Sequence, residues 1–107
     1  MRITDVKVTV WEWKDIPPTR YTPNVRSSEN HSTHMALVRI LTDEGIEGHA
    51  FLGSALSPLG KDANLIVERY KPFLVGKDPF DRELIWQKIS TWAMGGVMRV
   101  IGAIDVA

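Results

Sequence analysis

The sequence predicts an α+β domain, a three-stranded antiparallel sheet followed by a small helical bundle. Three observations carry that expectation. Apolar residues alternate with polar ones early in the chain, Asp43-Glu44-Gly45 joins two strand-like runs, and from residue 61 the apolar spacing becomes that of a helix. Strands first and helices afterwards is the order of segregated layers, and no parallel pair is implied.

The first strand is expected over 3–13, where Val6, Val8 and Val10 alternate with Asp5, Lys7 and Thr9. Trp11 and Trp13 put bulk on the opposite parity, which calls for a bulge near Val10 or a cover on the far face. Residues 35–42, "MALVRILT", are apolar on both parities apart from Arg39, as suits a central strand. Asp43 and Glu44 favour a type I turn and Gly45 the positive φ that completes it, so a third strand runs from Ile46 to about Leu52. Between the first two strands, Pro17, Pro18, Pro23, Asn24 and several serines predict a segment without regular structure. So long a connection in a compact domain tends to be a lid or a binding element, with a functionless excursion as the alternative.

Leu65, Ile66, Arg69 and Tyr70 mark a helix over 61–71, which Pro72 ends or bends. A second helix is expected to start at Asp78 as cap and Pro79 as first residue, with Phe80, Leu84, Ile85, Ile89 and Trp92 as its buried face. Met94-Gly95-Gly96 breaks the run, and a last helix begins near Val97. Val100, Ile101, Ala103, Ile104 and Ala107 form its apolar stripe, with no cap after Ala107 and no obvious partner. One domain, 1–107, is expected, and its sequence stops inside this uncapped apolar helix.

Composition narrows the function. Forty-four per cent hydrophobic and 24% charged residues suit a globular chain, and thirteen basic residues balance thirteen acidic ones. No global field draws the chain to nucleic acid or to an anionic membrane. There is no cysteine, no signal-peptide core and no apolar run of membrane-spanning length, so a cytoplasmic setting is expected. His31 and His34 are three apart at a strand entrance and would point to opposite faces, which disfavours a shared metal. "GSALS" lacks the last glycine of a nucleophile elbow, and "GKDPFD" is not a phosphate loop. The carboxylates surround a hairpin or open a helix, so no catalytic residue and no metal ligand is assigned. What stands out is Arg20, Tyr21, Arg26, His31 and His34, set against only Asp15 and Glu29. Arginine grips a carboxylate bidentately, and Tyr and His bind hydroxyls, a set suited to a small polyhydroxylated acid. A solvated polar loop is the plain alternative for each of them.

Four motifs in order, "MRITDVKVTVWEW", "ALVRILTDEGIEGHAFLG", "YKPFLVGKDPFDRELIWQKI" and "VIGAIDVA", resemble the N-terminal capping domain of the enolase superfamily, in its mandelate racemase/muconate lactonizing enzyme branch. The resemblance covers nearly the whole chain and implies that the chain is a fragment, with the packing partners of the last helix's stripe beyond it. It implies a C-terminal (β/α)7β barrel as the partner domain, in the same homo-oligomeric enzyme. It also implies abstraction of the proton α to a substrate carboxylate, with Mg2+ and a Lys or His base, all held outside this chain. Two connections of the cap would then close over the barrel mouth. The first is Lys14 to Ser32, and the second follows the third strand, giving Leu52, Gly53 and Ser54 as substrate-binding positions. Where many relatives read Gly-Trp-Gly-Glu, this chain reads Gly48-His49-Ala50-Phe51. The resemblance thus implies a capping, substrate-specificity domain, with sugar-acid dehydration preferred over racemisation because the first connection is polar and cationic. The competing reading is a free-standing, non-catalytic α+β module that binds a ligand or a protein.

Overall fold

The computed structural model describes residues 1–18, 20–22, 25–26, 30–53, 59–93 and 98–107, with 20–22, 25–26 and 93 described by backbone alone. Its strands are β1 (Ile3–Ile16), β2 (Arg20–Thr22), β3 (Val25–Arg26), β4 (His31–Thr42) and β5 (Glu47–Gly53). β1, β4 and β5 form one antiparallel sheet with β4 in the middle, while β2 and β3 pair separately. The α+β architecture read from the sequence is therefore present.

The period-two pattern sets the two faces of the sheet. Val6, Ile40 and Gly48 stand in register, as do Val8, Val38 and Ala50, and Val10, Ala36 and Leu52. These rows face the helices, and their burial follows the cover. Val6 is 1% exposed, whereas Val10, farther along the strand, is 38% exposed. Register shifts occur between Ile3 and Asp5 and between Trp13 and Ile16, and none occurs at Val10. Trp11 and Trp13 therefore stay on the far face, both exposed. The second shift contains Asp15 at φ 55, a left-handed conformation that Asp tolerates better than most residues, and it turns Ile16 inward to 1% exposure.

That irregularity corrects the expected connection. β1 runs on to Ile16 and β4 begins at His31, so the stretch between them is shorter than 14–32, and it carries the β2–β3 ladder. Pro17 and Pro18 fall outside the strands, where a missing N–H costs no ladder bond, and Pro23 lies outside the described residues. At the other end, Gly45 adopts φ 78 in the turn, and the Thr42 and Ile46 backbones close it through a 3.1 Å bond.

α1 (Gly60–Leu65) passes through a π-helical turn, Ile66–Tyr70, into α2 (Lys71–Leu74). Pro72 thus neither ends nor breaks the helix. Its ring would collide with the carbonyl four residues back in a regular α-helix, and the wider turn just before it relieves that contact. Gly76, at φ 85, stops the helix, and its N–H donates to the Ile3 carbonyl at 2.8 Å.

α3 (Arg82–Ser90) starts later than its sequence signals suggest. The Asp78 carboxylate accepts the Phe80 N–H at 3.0 Å and closes a turn, leaving Asp81 at the N-cap position. Phe80 lies in that turn at 78% exposure, and Leu84 is 66% exposed, so neither belongs to the buried face expected of them. Ile89 is buried, with Ile85, Trp86 and Trp92 partly buried beside it. The Trp92 ring, in the 3-10 turn Thr91–Ala93, meets Phe73 edge-on at 5.2 Å and Tyr70 at 5.6 Å.

α4 (Met98–Val106) overturns a further expectation. Val100, Ile101, Ala103 and Ile104 are all 6% exposed or less, so the apolar stripe is covered within the chain itself. α4 lies against β5, and its end sits so close that a Cβ on Gly48 would collide with the Ala107 carbonyl. At its start, Arg99 Nε and Nη2 each lie 2.7 Å from Asp62 Oδ2, and among the described residues Asp62 is the one buried charged residue.

Gly48→Ala should therefore push the end of α4 off the sheet. We expect a loss of about 1–3 kcal/mol, read as a lower midpoint in thermal or urea unfolding. Asp62→Ala removes the acceptor from Arg99. The guanidinium is partly exposed and can resolvate, so the expected loss is about 1–2 kcal/mol, with a double-mutant cycle against Arg99→Ala isolating the pair.

Candidate functional site

The connections singled out from the sequence emerge at one end of the sheet. There β1 finishes at Ile16, β4 begins at His31, and β5 finishes at Gly53. Register brings these ends together, because Ile16 pairs with His31 and Met35 pairs with Gly53. The first and second connections thus leave the same end of the sheet, at rows four β4 residues apart.

Arg20 and Tyr21 lie on β2 and Arg26 on β3, and Arg20 is the ladder partner of Arg26. The backbone pairing places the two arginines side by side across the ladder. His31 opens β4 and is partly buried. His34 shares the parity of Ala36, Val38 and Ile40, and its Nδ1 accepts the Leu59 N–H at 3.3 Å. Leu52, at 3% exposure, is a core side chain opposite Ala36, so only its backbone faces the strand end. Gly53 ends β5 in the open, and Ser54 lies outside the described residues.

Sequence reasoning missed the aromatic face beside this end. Trp11 and Phe51 meet edge-on with centroids 6.3 Å apart, and Phe51 is 69% exposed. Thr9, Leu37 and Phe51 share one cross-strand row, with Trp11 and Met35 in the next. The parity of Trp11, Trp13 and Phe51 was the available signal, since all three oppose the core rows.

Charges concentrate toward the other end of the same face. Lys7, Arg39 and His49 form one cross-strand row, next to Asp5 and Glu47. The His49 Nε2 hydrogen bond, at 2.8 Å, holds the Glu47 carboxyl below its ordinary range, and Arg39 adds to the effect. The Lys71 ammonium does the same for Asp5, helped by the Val6 N–H. Among the described residues, no group of three or more His, Asp or Glu could hold a metal ion. No described helix is long and apolar enough to cross a membrane.

The fold of this chain has counterparts among known structures. It superposes on the L-Ala-D/L-Glu epimerase of Bacillus subtilis with TM-score 0.79 at 22% identity, covering 100% of this chain and 30% of that one. A member of the enolase superfamily from Polaromonas sp. JS666 gives TM-score 0.72 at 22% identity, covering 98% and 28%. D-glucarate dehydratase from Agrobacterium tumefaciens, in a structure complexed with magnesium, gives 0.65 at 26% identity, covering 94% and 25%. The class is the N-terminal α+β domain of enolase-superfamily proteins. More narrowly, residues 5–107 match the mandelate racemase / muconate lactonizing enzyme N-terminal domain, and the chain belongs to that family. It spans between 25% and 30% of the length of these three relatives.

The carboxylates generate a pH prediction. Glu47 and Asp5 titrate below their unfolded values, so their stabilisation is present above the unfolded carboxylate pKa and is lost as pH falls through the folded one. Urea unfolding should show stability declining below about pH 4. Glu47→Gln should lose less on acidification than the unaltered protein, and addition of salt should shrink the difference.

Proposed function

We propose that this chain is the capping, substrate-specificity domain of an enzyme that removes the proton α to a carboxylate, with dehydration of a sugar acid as the reaction. The observation that carries this reading is the family match over 5–107, together with the convergence of both connections at one end of the sheet. On this reading the barrel of the same protein lies beneath that end and supplies the base. A magnesium ion held by the barrel would supply electrostatic stabilisation of the charge that builds on the substrate carboxylate. Nothing among the described residues of this chain forms such a metal site, so its own part is to bind, orient and exclude water.

Within that part, Arg20 and Arg26 take a carboxylate of the acid, and Tyr21 and His31 take hydroxyls. Backbone groups around Leu52, Gly53 and Ser54 complete the wall. Their cationic and hydroxyl-binding chemistry supports a polyhydroxylated acid, and a D-glucarate dehydratase is among the similar structures. One observation favours a second reading, a self-contained binding module without catalysis: the apolar face of α4 is covered within the chain.

Kinetics of the whole enzyme on a panel of acid sugars tests the proposal. We expect magnesium-dependent dehydration, with KM for the acid rising about tenfold or more in Arg20→Ala or Arg26→Ala and kcat changing less. Turnover by the 107-residue chain alone would overturn the reading, as would unchanged KM in both variants.

A further inference from the structure

His34 stands where three parts of the fold meet. By register it lies on β4 opposite Glu12 of β1, on the helix side of the sheet. Its neighbour Met35 pairs with Gly53, the last residue of β5. A Cβ on Gly53 would lie 3.7 Å from the Met35 side chain and 3.9 Å from the His34 carbonyl, so the end of β5 rests directly on these two residues. β5 ends at Gly53, and Leu59, a fully buried residue, stands immediately before α1. The Leu59 N–H donates to the His34 ring. Both ends of the 53–59 connection are therefore seated on one dipeptide of the central strand.

We infer that His34 is a positioning residue, whose imidazole closes the neck of the 53–59 connection, and that binding substrate through Nδ1 is not its role. The physical demand is specific. Leu59 is buried, and a buried N–H needs an acceptor. An acceptor at Nδ1 fixes the neutral ring as the Nε2–H tautomer, because a ring nitrogen that carries a proton cannot accept. A side chain of similar volume without that lone pair would fill the space and leave the amide unpaired. The bearing of this neck on substrate rests on the function proposed above; the positioning role rests on the sheet geometry alone.

The test reads hydrogen exchange and imidazole nitrogen shifts, not turnover, so its failure is distinguishable from failure of the capping reading. In the unaltered protein, long-range proton–nitrogen correlations should show His34 as the Nε2–H tautomer, and the Leu59 amide should be protected. In His34→Phe that amide should exchange about fivefold faster or more, while those of Val38 and Ile101 keep their rates. His34→Asn carries an oxygen at the position of Nδ1 and should restore protection. An Nδ1–H tautomer in the unaltered protein overturns the inference even if His34→Phe does not fold. So does an unchanged Leu59 rate in His34→Phe, or equally fast exchange in both variants.

Discussion

The end of α4 closes onto the sheet because the backbone of β5 has no side chain at Gly48. Any larger residue there would occupy the space of the Ala107 carbonyl, so the end of α4 would have to lift. That contact sets how deeply Val100, Ile101 and Ile104 sink against the sheet, and all three are nearly inaccessible. Burying large apolar side chains is worth roughly 1.5–3 kcal/mol each. A local shortage of atoms on one strand thus governs a large share of the core. The Asp62–Arg99 pair fixes the opposite end of α4 to the α1 helix, so the helix is held at both ends by different means.

Local chemistry was readable from the residues themselves, and long-range geometry was not. The Asp43-Glu44-Gly45 turn and the doubly apolar β4 depend on neighbours in sequence, and both appear where the pattern puts them. Asp78 carries equally good cap chemistry, yet the turn it closes with Phe80 competes for the same carboxylate and delays α3 by several residues. That delay leaves Phe80 and Leu84 outside the buried stripe. Pro17 and Pro18 correctly mark the break after β1, but short strands that still pair follow them. The covered face of α4 needed the Gly48 gap, a contact between residues far apart in the chain.

The candidate site divides the same way. Residue chemistry picks out Arg20, Tyr21, Arg26, His31 and His34; the two histidines lie near the start of β4, at the end of the sheet where both connections leave, and the other three lie on the separate β2–β3 ladder. What the ring of His34 does depends on Leu59, twenty-five residues downstream, and no local rule reaches that far. Burial of α4 removes an exposed stripe as an argument about the chain's surroundings, so family membership rests on the match over 5–107.

β1 has consequences of its own. It is an outermost strand of 14 residues, and among the described residues one flank of its backbone has no ladder partner in the main sheet. Such a flank is a template for stacking with other chains, the more so beside Trp11, Trp13 and Phe51. Asp5, Lys7, Glu12 and Lys14 interrupt it at close intervals. Adding a foreign strand would strip water from these ionic groups, so the charges act as gatekeepers against fibrillar association and keep an oily, extended border compatible with solubility.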